Sequence, residues 1–209
     1  MKTNLNMFIE RMVEQYKEFD GAHDDEHARM VIKNSEFIAK RLMDDEGMSL
    51  DMNMVKVIAA MHDLGLAYDR KTHHIKSGEI VRSTKELQEH FSDYQIELIA
   101  KAVEEHRASY KGEYTSIYSK IVSDADRMND IYTMISRTYK WNRKHFPDHN
   151  DEEIYNEVIT HLQDKYGEKG YARFNTIYAE EVLNETRDLL MNNKEFDKIY
   201  KEMYGMSWI

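Results

Sequence analysis

The sequence is poor in residues that interrupt helices and in residues that form covalent cross-links. Its 209 residues include no cysteine, one proline and eight glycines. The lack of cysteine excludes disulfides, thiolate metal ligands and thiol nucleophiles. Proline and glycine mark the tight turns between strands, so their scarcity disfavours a β-sandwich or a β-barrel. We therefore expect a helical protein.

Two further absences concern the location of the protein. No apolar run approaches the ~18 residues that a membrane-spanning helix needs. The first ten residues alternate apolar with polar side chains and lack the apolar stretch of a signal peptide. We expect a cytoplasmic protein that does not enter a membrane.

Positive charge is also in short supply, because 29 Lys and Arg stand against 39 Asp and Glu, for a formal net charge of −10. This charge repels a long phosphate backbone, so nucleic acid is not an expected partner. A chain of this length buries enough surface to fold without a structural metal, so any bound metal is expected to be functional. What the chain has in surplus is histidine, with ten residues.

Apolar residues recur every three or four positions along most of the chain, which predicts amphipathic helices. Asp24 or Asp25 is expected to cap the second helix and Asp51 the third. A segment around Pro147 separates the sixth helix from the last two. The predicted helices cover about 4–19, 24–42, 51–65, 72–90, 92–106, 114–144, 152–165 and 170–204.

Several polar residues lie on or beside the predicted apolar faces of separate helices, where each needs a partner. They are His27, His62, Asp63, His74, His106 and an aspartate of the segment 123–127. Imidazole and carboxylate groups are ligands for divalent Mn, Fe, Ni, Co, Zn and Mg, so a shared cation would serve all of them. His62 and Asp63 point about 100° apart on a helix, so both can face one ion only near a helix end. Gly65 provides that end.

Four segments carry a family resemblance: HDDEH at 23–27, AAMHDLG at 59–65, HIKSG at 74–78 and IVSDADRM at 121–128. Their order and helical context resemble the HD-domain metal-dependent phosphohydrolases. The resemblance covers about residues 20–135 and implies an all-α HD-domain fold with additional C-terminal helices. We expect residues 1–209 to form a single domain, in which the helices of 152–204 pack on this motif core.

The resemblance also implies a divalent metal ion, which is Mn, Fe, Ni, Co, Mg or Zn. The implied ligands are His27, His62, Asp63 and Asp126. Asp126 matches the last ligand of the family because it follows an alanine in an Ala-Asp element. Helical periodicity favours Asp124 instead, because Asp124 shares a face with the apolar residues of its helix. The sequence leaves both aspartates open as the last ligand.

Catalytic roles follow from the same resemblance. Asp63 is expected to orient or deprotonate the attacking water, and His106 or His74 to stabilise the phosphate charge or to protonate the leaving group. His74, His106 and Arg127 are expected to contact the substrate phosphate or a second metal ion. Glu105 stands where two-metal members carry a further histidine, which argues against the second metal.

The expected function is that of a metal-dependent phosphohydrolase. It would use a metal-activated water to cleave a phosphate ester or anhydride of a nucleotide or a similar small phosphorylated metabolite. Leu66 replaces the glutamate of some HD 5′-nucleotidases, and the remaining motifs are most similar to the small bacterial pyrophosphohydrolase-like HD group. The alternative is a catalytically inactive HD module that senses a metal or a nucleotide. A homodimer is compatible with the sequence, which does not determine the oligomeric state.

A basic cluster that contains a tryptophan follows the motif core. It consists of Arg137, Lys140, Trp141, Arg143 and Lys144, and all of these except Arg143 lie along one helical face. We interpret it as a solvated helix end whose charge suits the C-terminal helix dipole. The alternative is a clamp for a phosphate and a base. Five histidines without a surrounding motif are expected on the surface: His73, His90, His145, His149 and His161.

Overall fold

The computed structural model describes residues 4–19 and 23–205. These residues form ten α-helices and no strand, which confirms the all-helical prediction. The helices are α1 Leu5–Glu14, α2 Asp25–Glu46, α3 Met52–Met61, α4 His73–Ser83, α5 Asp93–Glu105, α6 Ile117–Arg127, α7 Ile131–His145, α8 Asp151–Tyr166, α9 Ile177–Met191 and α10 Asn193–Tyr204. Short 3-10 helices cover Gln15–Glu18, Leu64–Ala67 and Lys85–Glu89.

Helix starts follow the predicted side-chain caps. The Asp24 carboxylate accepts a hydrogen bond from the His27 backbone N–H at 3.0 Å, so Asp24 rather than Asp25 caps α2. Asp51 accepts from the Asn53 N–H at 2.9 Å and caps α3. These side chains satisfy N–H groups that have no partner within the first turn of a helix.

Two predicted long helices are each divided in two. The segment 114–144 breaks after α6, because the Asp130 carboxylate accepts hydrogen bonds from the Thr133 N–H and hydroxyl and starts α7. The segment 170–204 contains α9 and α10, and the Asn192 side chain caps α10 by accepting from the Glu195 N–H. A local cap thus overrides a continuous apolar pattern. The first break places Asp126 in the last turn of α6.

The apolar core consists of two clusters that share α9. The first gathers residues of α1 to α6, and the second gathers residues of α7 to α10. Helix α9 contributes Tyr178 and Ala179 to the first cluster, and Leu183 and Leu190 to the second. The expectation of a single domain stays a prediction, and the shared helix supports it. No helix within the described ranges is long and apolar enough to cross a membrane.

Candidate metal centre

The His62-Asp63 pair lies where α3 ends and turns into a 3-10 helix. Gly65 allows this turn to pack closely on the first turn of α4. A Cβ atom on Gly65 would lie 2.0 Å from the His73 carbonyl oxygen, so only glycine fits there. The Gly65 N–H also donates to the Ser77 hydroxyl at 2.8 Å. This close approach brings His73 next to Asp63.

Tyr16 holds the His62-Asp63 corner from the other side. Its buried hydroxyl oxygen accepts a hydrogen bond from the Asp63 backbone N–H at 3.0 Å and lies 3.3 Å from His62 Nδ1. Burial and the charge of Asp63 raise the pKa of Tyr16 well above its usual range, so the hydroxyl keeps its proton. The sequence pattern assigns Tyr16 only to an apolar helix face, and no motif marks this contact.

Three histidine rings have the same orientation relative to their own backbone. The Nδ1 atoms of His62, His73 and His106 lie 2.8, 2.7 and 2.7 Å from the carbonyl oxygens of the residues three positions earlier. A carbonyl oxygen only accepts, so Nδ1 carries the hydrogen in each ring. In the neutral form of each ring, the Nε2 lone pair is directed away from the backbone. Such a backbone contact is common for metal-binding histidines.

These three Nε2 atoms converge on Asp63. His73 and His106 lie 3.1 and 3.2 Å from Asp63 Oδ1, and His62 lies 3.3 Å from Oδ2. Burial opposes ionisation, but the surrounding imidazoles of His62, His106 and His73 hold the pKa of Asp63 well below its usual range. Asp63 is therefore a buried carboxylate that needs positive charge nearby.

His27 and Asp126 complete the other side of the cluster. His27 Nε2 lies 3.2 Å from Asp126 Oδ1, which is 4.0 Å from His62 Nε2. Burial and the charge of Arg137 lower the pKa of His27 to about 3. The His27 ring is therefore neutral at ordinary pH, and neutral imidazole is the form that binds metals.

The donor atoms fit a divalent cation better than they fit a hydrogen-bond network. His27 Nε2, His62 Nε2 and Asp63 Oδ1 are buried, and none forms a hydrogen bond to a described residue. When the rings are neutral, their Nε2 lone pairs and the carboxylate oxygens repel at these distances unless a cation lies between them. The donor atoms form two sets, and within each set they lie within 4.8 Å of one another. The sets are His27/His62/Asp63 and Asp63/His73/His106, so both contain Asp63. Nitrogen and oxygen ligands of this kind suit Mn, Fe, Co, Ni or Zn.

Asp124 faces away from this cluster. It is fully buried, and its carboxylate accepts hydrogen bonds from the backbone N–H groups of Asn175 and Thr176 at 2.8 to 2.9 Å. The Asn175 amide and the Thr176 hydroxyl also donate to it. Periodicity correctly indicates that Asp124 is buried, but its partners lie in the segment before α9. The geometry therefore supports Asp126, not Asp124, as the last ligand.

The expectation that Arg127 contacts substrate is wrong. Its side chain is 1% exposed, and its guanidinium donates to the carbonyl oxygens of His106 and Arg173 and to the Ser123 hydroxyl. A guanidinium surrounded in this way cannot reach a ligand in a cavity. Arg127 joins α6 to the end of α5 and to the segment before α9.

His73 and His74 at the start of α4 have the opposite locations to those expected from the sequence, which placed His74 in the site and His73 on the surface. His73 is buried against Asp63, so the expectation that it lies on the surface is wrong. His74 is half-buried, belongs to neither set of donor atoms and does not line the cavity described below. The first turn of α4 directs one of two adjacent side chains to the cluster, and the sequence alone does not say which.

Glu105 has a local structural partner. Its carboxylate accepts hydrogen bonds from the Thr115 N–H at 2.9 Å and from the Thr115 hydroxyl at 3.1 Å. Glu105 therefore holds the loop between α5 and α6. Its carboxylate belongs to neither set of donor atoms.

A cavity of about 440 Å³ opens onto the cluster, with Asp63, His73, His106 and Asp126 in its lining. Helices α7 and α8 form much of the opposite wall. Arg137 and Trp141 are half-buried in this wall, so the interpretation of their segment as a solvated helix end is wrong for these two residues. Lys144 is exposed and lies outside the cavity lining, so it takes no part in a clamp there.

The match to known proteins agrees with this fold and site. The HD domain family model matches residues 25–129, which carry all the candidate metal ligands. The chain therefore belongs to the HD-domain family. Family membership and the buried His/Asp cluster support a metal-dependent hydrolase that binds a divalent ion.

A solved structure extends the similarity beyond the matched residues. The crystal structure of a predicted HD superfamily hydrolase from an uncultured Thermotogales bacterium has a TM-score of 0.59 to this chain. The two sequences are 21% identical, and the similarity covers 97% of this chain and 99% of the other. At this identity the match shows that the fold is shared, including the C-terminal helices. No curated protein matches the chain.

Proposed function

We propose that this protein is a metal-dependent phosphohydrolase that cleaves a phosphate ester or anhydride of a nucleotide or a similar small phosphorylated metabolite. One observation carries the proposal: the two sets of donor atoms share Asp63, which lies with His73, His106 and Asp126 in the wall of a cavity that a small molecule can enter. The resemblance to the small bacterial pyrophosphohydrolase-like HD group adds support. A cytoplasmic location and a homodimer stay expectations from the sequence.

The proposed ligands of the ion are His27, His62, Asp63 and Asp126. A divalent cation held there supplies two things to hydrolysis, a lowered pKa for water and polarisation of a phosphoryl oxygen. Asp63 orients the attacking water, and its position is fixed by the Tyr16 hydroxyl on its backbone N–H. The water oxygen forms the new bond to phosphorus, and the bond from phosphorus to the leaving oxygen breaks.

The departing oxygen needs a proton, and His106 is the proposed donor. Its Nδ1–H donates a hydrogen bond to the Val103 carbonyl oxygen. When His106 is protonated, its second N–H is therefore at Nε2. His73 has the same arrangement and lies on the same side of Asp63. It takes the role expected for His74, as a ligand for the substrate phosphate or for a second ion.

The size and chemistry of the cavity support a nucleotide or a metabolite of similar size. Its volume lies in the range of about 300 to 1,000 Å³ that is usual for small-molecule sites. Trp141 lines the cavity, and the Arg70 guanidinium lies 5.9 Å from the centre of its ring. Aromatic rings of this kind stack on nucleotide bases.

The test combines metal analysis with turnover. The protein is purified without added chelator, its metal content is measured, and phosphate and pyrophosphate release are followed for a nucleotide panel with Mn, Co, Ni or Mg. We expect a bound divalent metal and metal-dependent release from at least one substrate. Asp63→Asn should lose both metal retention and turnover, because Asp63 belongs to both sets of donor atoms.

Two results would contradict the proposal. Full turnover by Asp63→Asn would exclude the proposed centre. Stoichiometric metal without turnover on any phosphorylated substrate would favour the alternative of an inactive sensing module. Lys169→Met is a suitable control, because Lys169 is exposed and lies outside the cavity lining.

A further inference from the structure

Helix α6 ends one residue after Asp126, so the backbone that carries this proposed ligand lies at a helix terminus. The last four carbonyl groups of an α-helix have no partner within the helix, and in α6 these belong to residues 124–127. The Met128 N–H continues the helical pattern by donating to the Asp124 carbonyl oxygen at 2.8 Å. The other three carbonyl groups depend on donors that follow α6 or lie on another helix.

Asn129 supplies two of these donors. Its side-chain amide donates to the Asp126 carbonyl oxygen at 3.2 Å, and its backbone N–H donates to the Arg127 carbonyl oxygen at 2.9 Å. Asn129 is 3% exposed, so the turn that follows α6 is built into the interior of the protein. Both hydrogen bonds are local, and they leave the Ala125 carbonyl for a donor from elsewhere.

That donor comes from Asn34 on α2. The Asn34 amide nitrogen lies 3.2 Å from the Ala125 carbonyl oxygen and 2.7 Å from the Met128 carbonyl oxygen. A carbonyl oxygen only accepts hydrogen bonds, and an amide nitrogen carries two N–H groups, so Asn34 donates once to each carbonyl. The two hydrogen bonds hold the backbone on both sides of Asp126.

Asn34 shares a helix face with the metal ligand His27. The two residues are seven positions apart on α2, which is close to two helical turns, so their side chains project from the same side. His27 Nε2 lies 3.2 Å from Asp126 Oδ1. Helix α2 therefore contacts the end of α6 at two points, with His27 at the Asp126 carboxylate and with Asn34 at the surrounding backbone.

The Asp126 carboxylate has few other restraints. It lies 3.2 Å from His27 Nε2 and 4.0 Å from His62 Nε2, and no backbone N–H or hydroxyl of a described residue donates to it. Asp124 differs, because its carboxylate accepts hydrogen bonds from two backbone N–H groups. The position of the Asp126 carboxylate is therefore set mainly by the backbone that Asn34 and Asn129 hold.

We propose that Asn34 is a positioning residue for the metal centre. Its amide fixes the end of α6 against α2 and so sets the distance between His27 Nε2 and the Asp126 carboxylate. This proposal rests on the proposed function, in which both groups bind the same ion. Neither a serine nor an aspartate could replace Asn34, because neither side chain can donate to both carbonyl groups.

The test measures metal binding and needs no turnover. Asn34→Leu keeps the volume of the side chain and removes both donors, whereas Asn34→Ala leaves room for water to bind the two carbonyl oxygens and should be less damaging to the fold. Each variant should lower the affinity of the metal-free protein for Mn²⁺ by about tenfold or more, the effect expected for a group that orients a metal ligand. Calorimetry measures this affinity. The absorption spectrum of the Co²⁺-loaded protein should also change, because it depends on the geometry of the ligands.

The matched control acts on the opposite end of the same helix. The Tyr118 hydroxyl, in the first turn of α6, accepts a hydrogen bond from the Asp51 N–H at 2.9 Å and so joins α6 to the start of α3. Tyr118→Phe should lower the Tm by a few degrees, as the Asn34 variants should, and keep the wild-type Mn²⁺ affinity and Co²⁺ spectrum. Thermal unfolding compares the stability of all three variants.

Two results would overturn the positioning role. One is wild-type Mn²⁺ affinity in folded Asn34→Leu and Asn34→Ala, which would mean that Asn34 only stabilises the packing of α2 on α6. The other is an equal loss of affinity in Tyr118→Phe, which would mean that any weakening of α6 disturbs the metal centre.

The outcome is separable from that of the proposed function. If the Asn34 variants lose Mn²⁺ affinity but the wild type hydrolyses no phosphorylated substrate, the positioning role stands and the proposed hydrolysis fails. If the wild type hydrolyses a substrate and the Asn34 variants bind Mn²⁺ normally, the hydrolase stands and the positioning role fails.

Discussion

Asp124 and Asp126 lie two residues apart on α6, yet their carboxylates serve different parts of the molecule. Asp126 Oδ1 lies 3.2 Å from His27 Nε2 in the candidate metal centre. Asp124 accepts hydrogen bonds from Asn175 and Thr176 and so attaches α6 to the segment that leads into α9. One turn of α6 thus combines a chemical function with the attachment of the C-terminal helices.

This relationship predicts opposite effects of the same substitution at the two positions. Asp126→Asn should lower metal affinity about tenfold or more, because even the loss of a group that only contacts a metal ligand lowers affinity by that amount. The thermal stability of the metal-free protein should be preserved. Asp124→Asn should keep the metal but lose about 1 to 3 kcal/mol of stability, because its amide would face groups that donate hydrogen bonds. This corresponds to a Tm lower by roughly 2 to 12 °C.

Metal titration and thermal unfolding of both variants check this prediction, and each serves as the control for the other. Loss of metal by a folded Asp124→Asn protein, together with retention by Asp126→Asn, would reverse the assignment of the two residues.

The buried position of Arg127 predicts a structural role. Arg127→Met should lose about 2 to 5 kcal/mol of stability, since the carbonyl oxygens of His106 and Arg173 would lose a donor in a buried place. The KM of the folded protein should stay within about a factor of two to three of the wild-type value, because Arg127 does not line the cavity. Urea unfolding and steady-state kinetics measure the two quantities.

Arg173→Met is the matched control, because only its backbone carbonyl takes part in the contact and its side chain is exposed. A large rise in KM for Arg127→Met with unchanged stability would show that Arg127 contacts substrate after all.

The two histidines at the start of α4 offer a comparison at neighbouring positions. His73→Gln should lower kcat/KM by about 10²-fold or more, because the imidazole lies 3.1 Å from Asp63 Oδ1 in the cluster. His74→Gln should leave kcat/KM near the wild-type value, because His74 lies outside the donor sets and the cavity lining. Steady-state kinetics on the best substrate of the panel decides between them, and the reverse pattern would restore His74 to the site.

The contact between Tyr16 and the metal centre predicts a positioning role. Tyr16→Phe removes the oxygen that accepts the Asp63 N–H, which leaves a buried donor unpaired at a cost of about 1 to 3 kcal/mol. We expect lower stability and a weaker affinity for Mn²⁺, because the His62-Asp63 corner is no longer held. Metal titration distinguishes this role from simple packing, since a variant that is less stable but binds Mn²⁺ normally would contradict it.

The motif residues and the composition together determined the fold class and most of the candidate ligands. Helical periodicity and the scarcity of proline and glycine indicate an all-α protein, because both depend only on local backbone preferences. The resemblance of the four motif segments to the HD-domain family implies His27, His62 and Asp63 as ligands, and the sequence leaves Asp124 and Asp126 open as the last one.

Only the tertiary structure decided what each buried polar residue contacts. Periodicity says that Asp124 is buried but not which distant segment it meets, and no pattern in the sequence predicts that Arg127 is buried. Both side chains have partners some 50 residues further along the chain. His73 and His74 are the first two residues of α4, so their side chains point about 100° apart around the helix axis. The cavity wall opposite the cluster depends on how α7 and α8 pack across the cavity. Such contacts arise from packing between helices distant in sequence, and a local pattern of residues does not encode which helices meet.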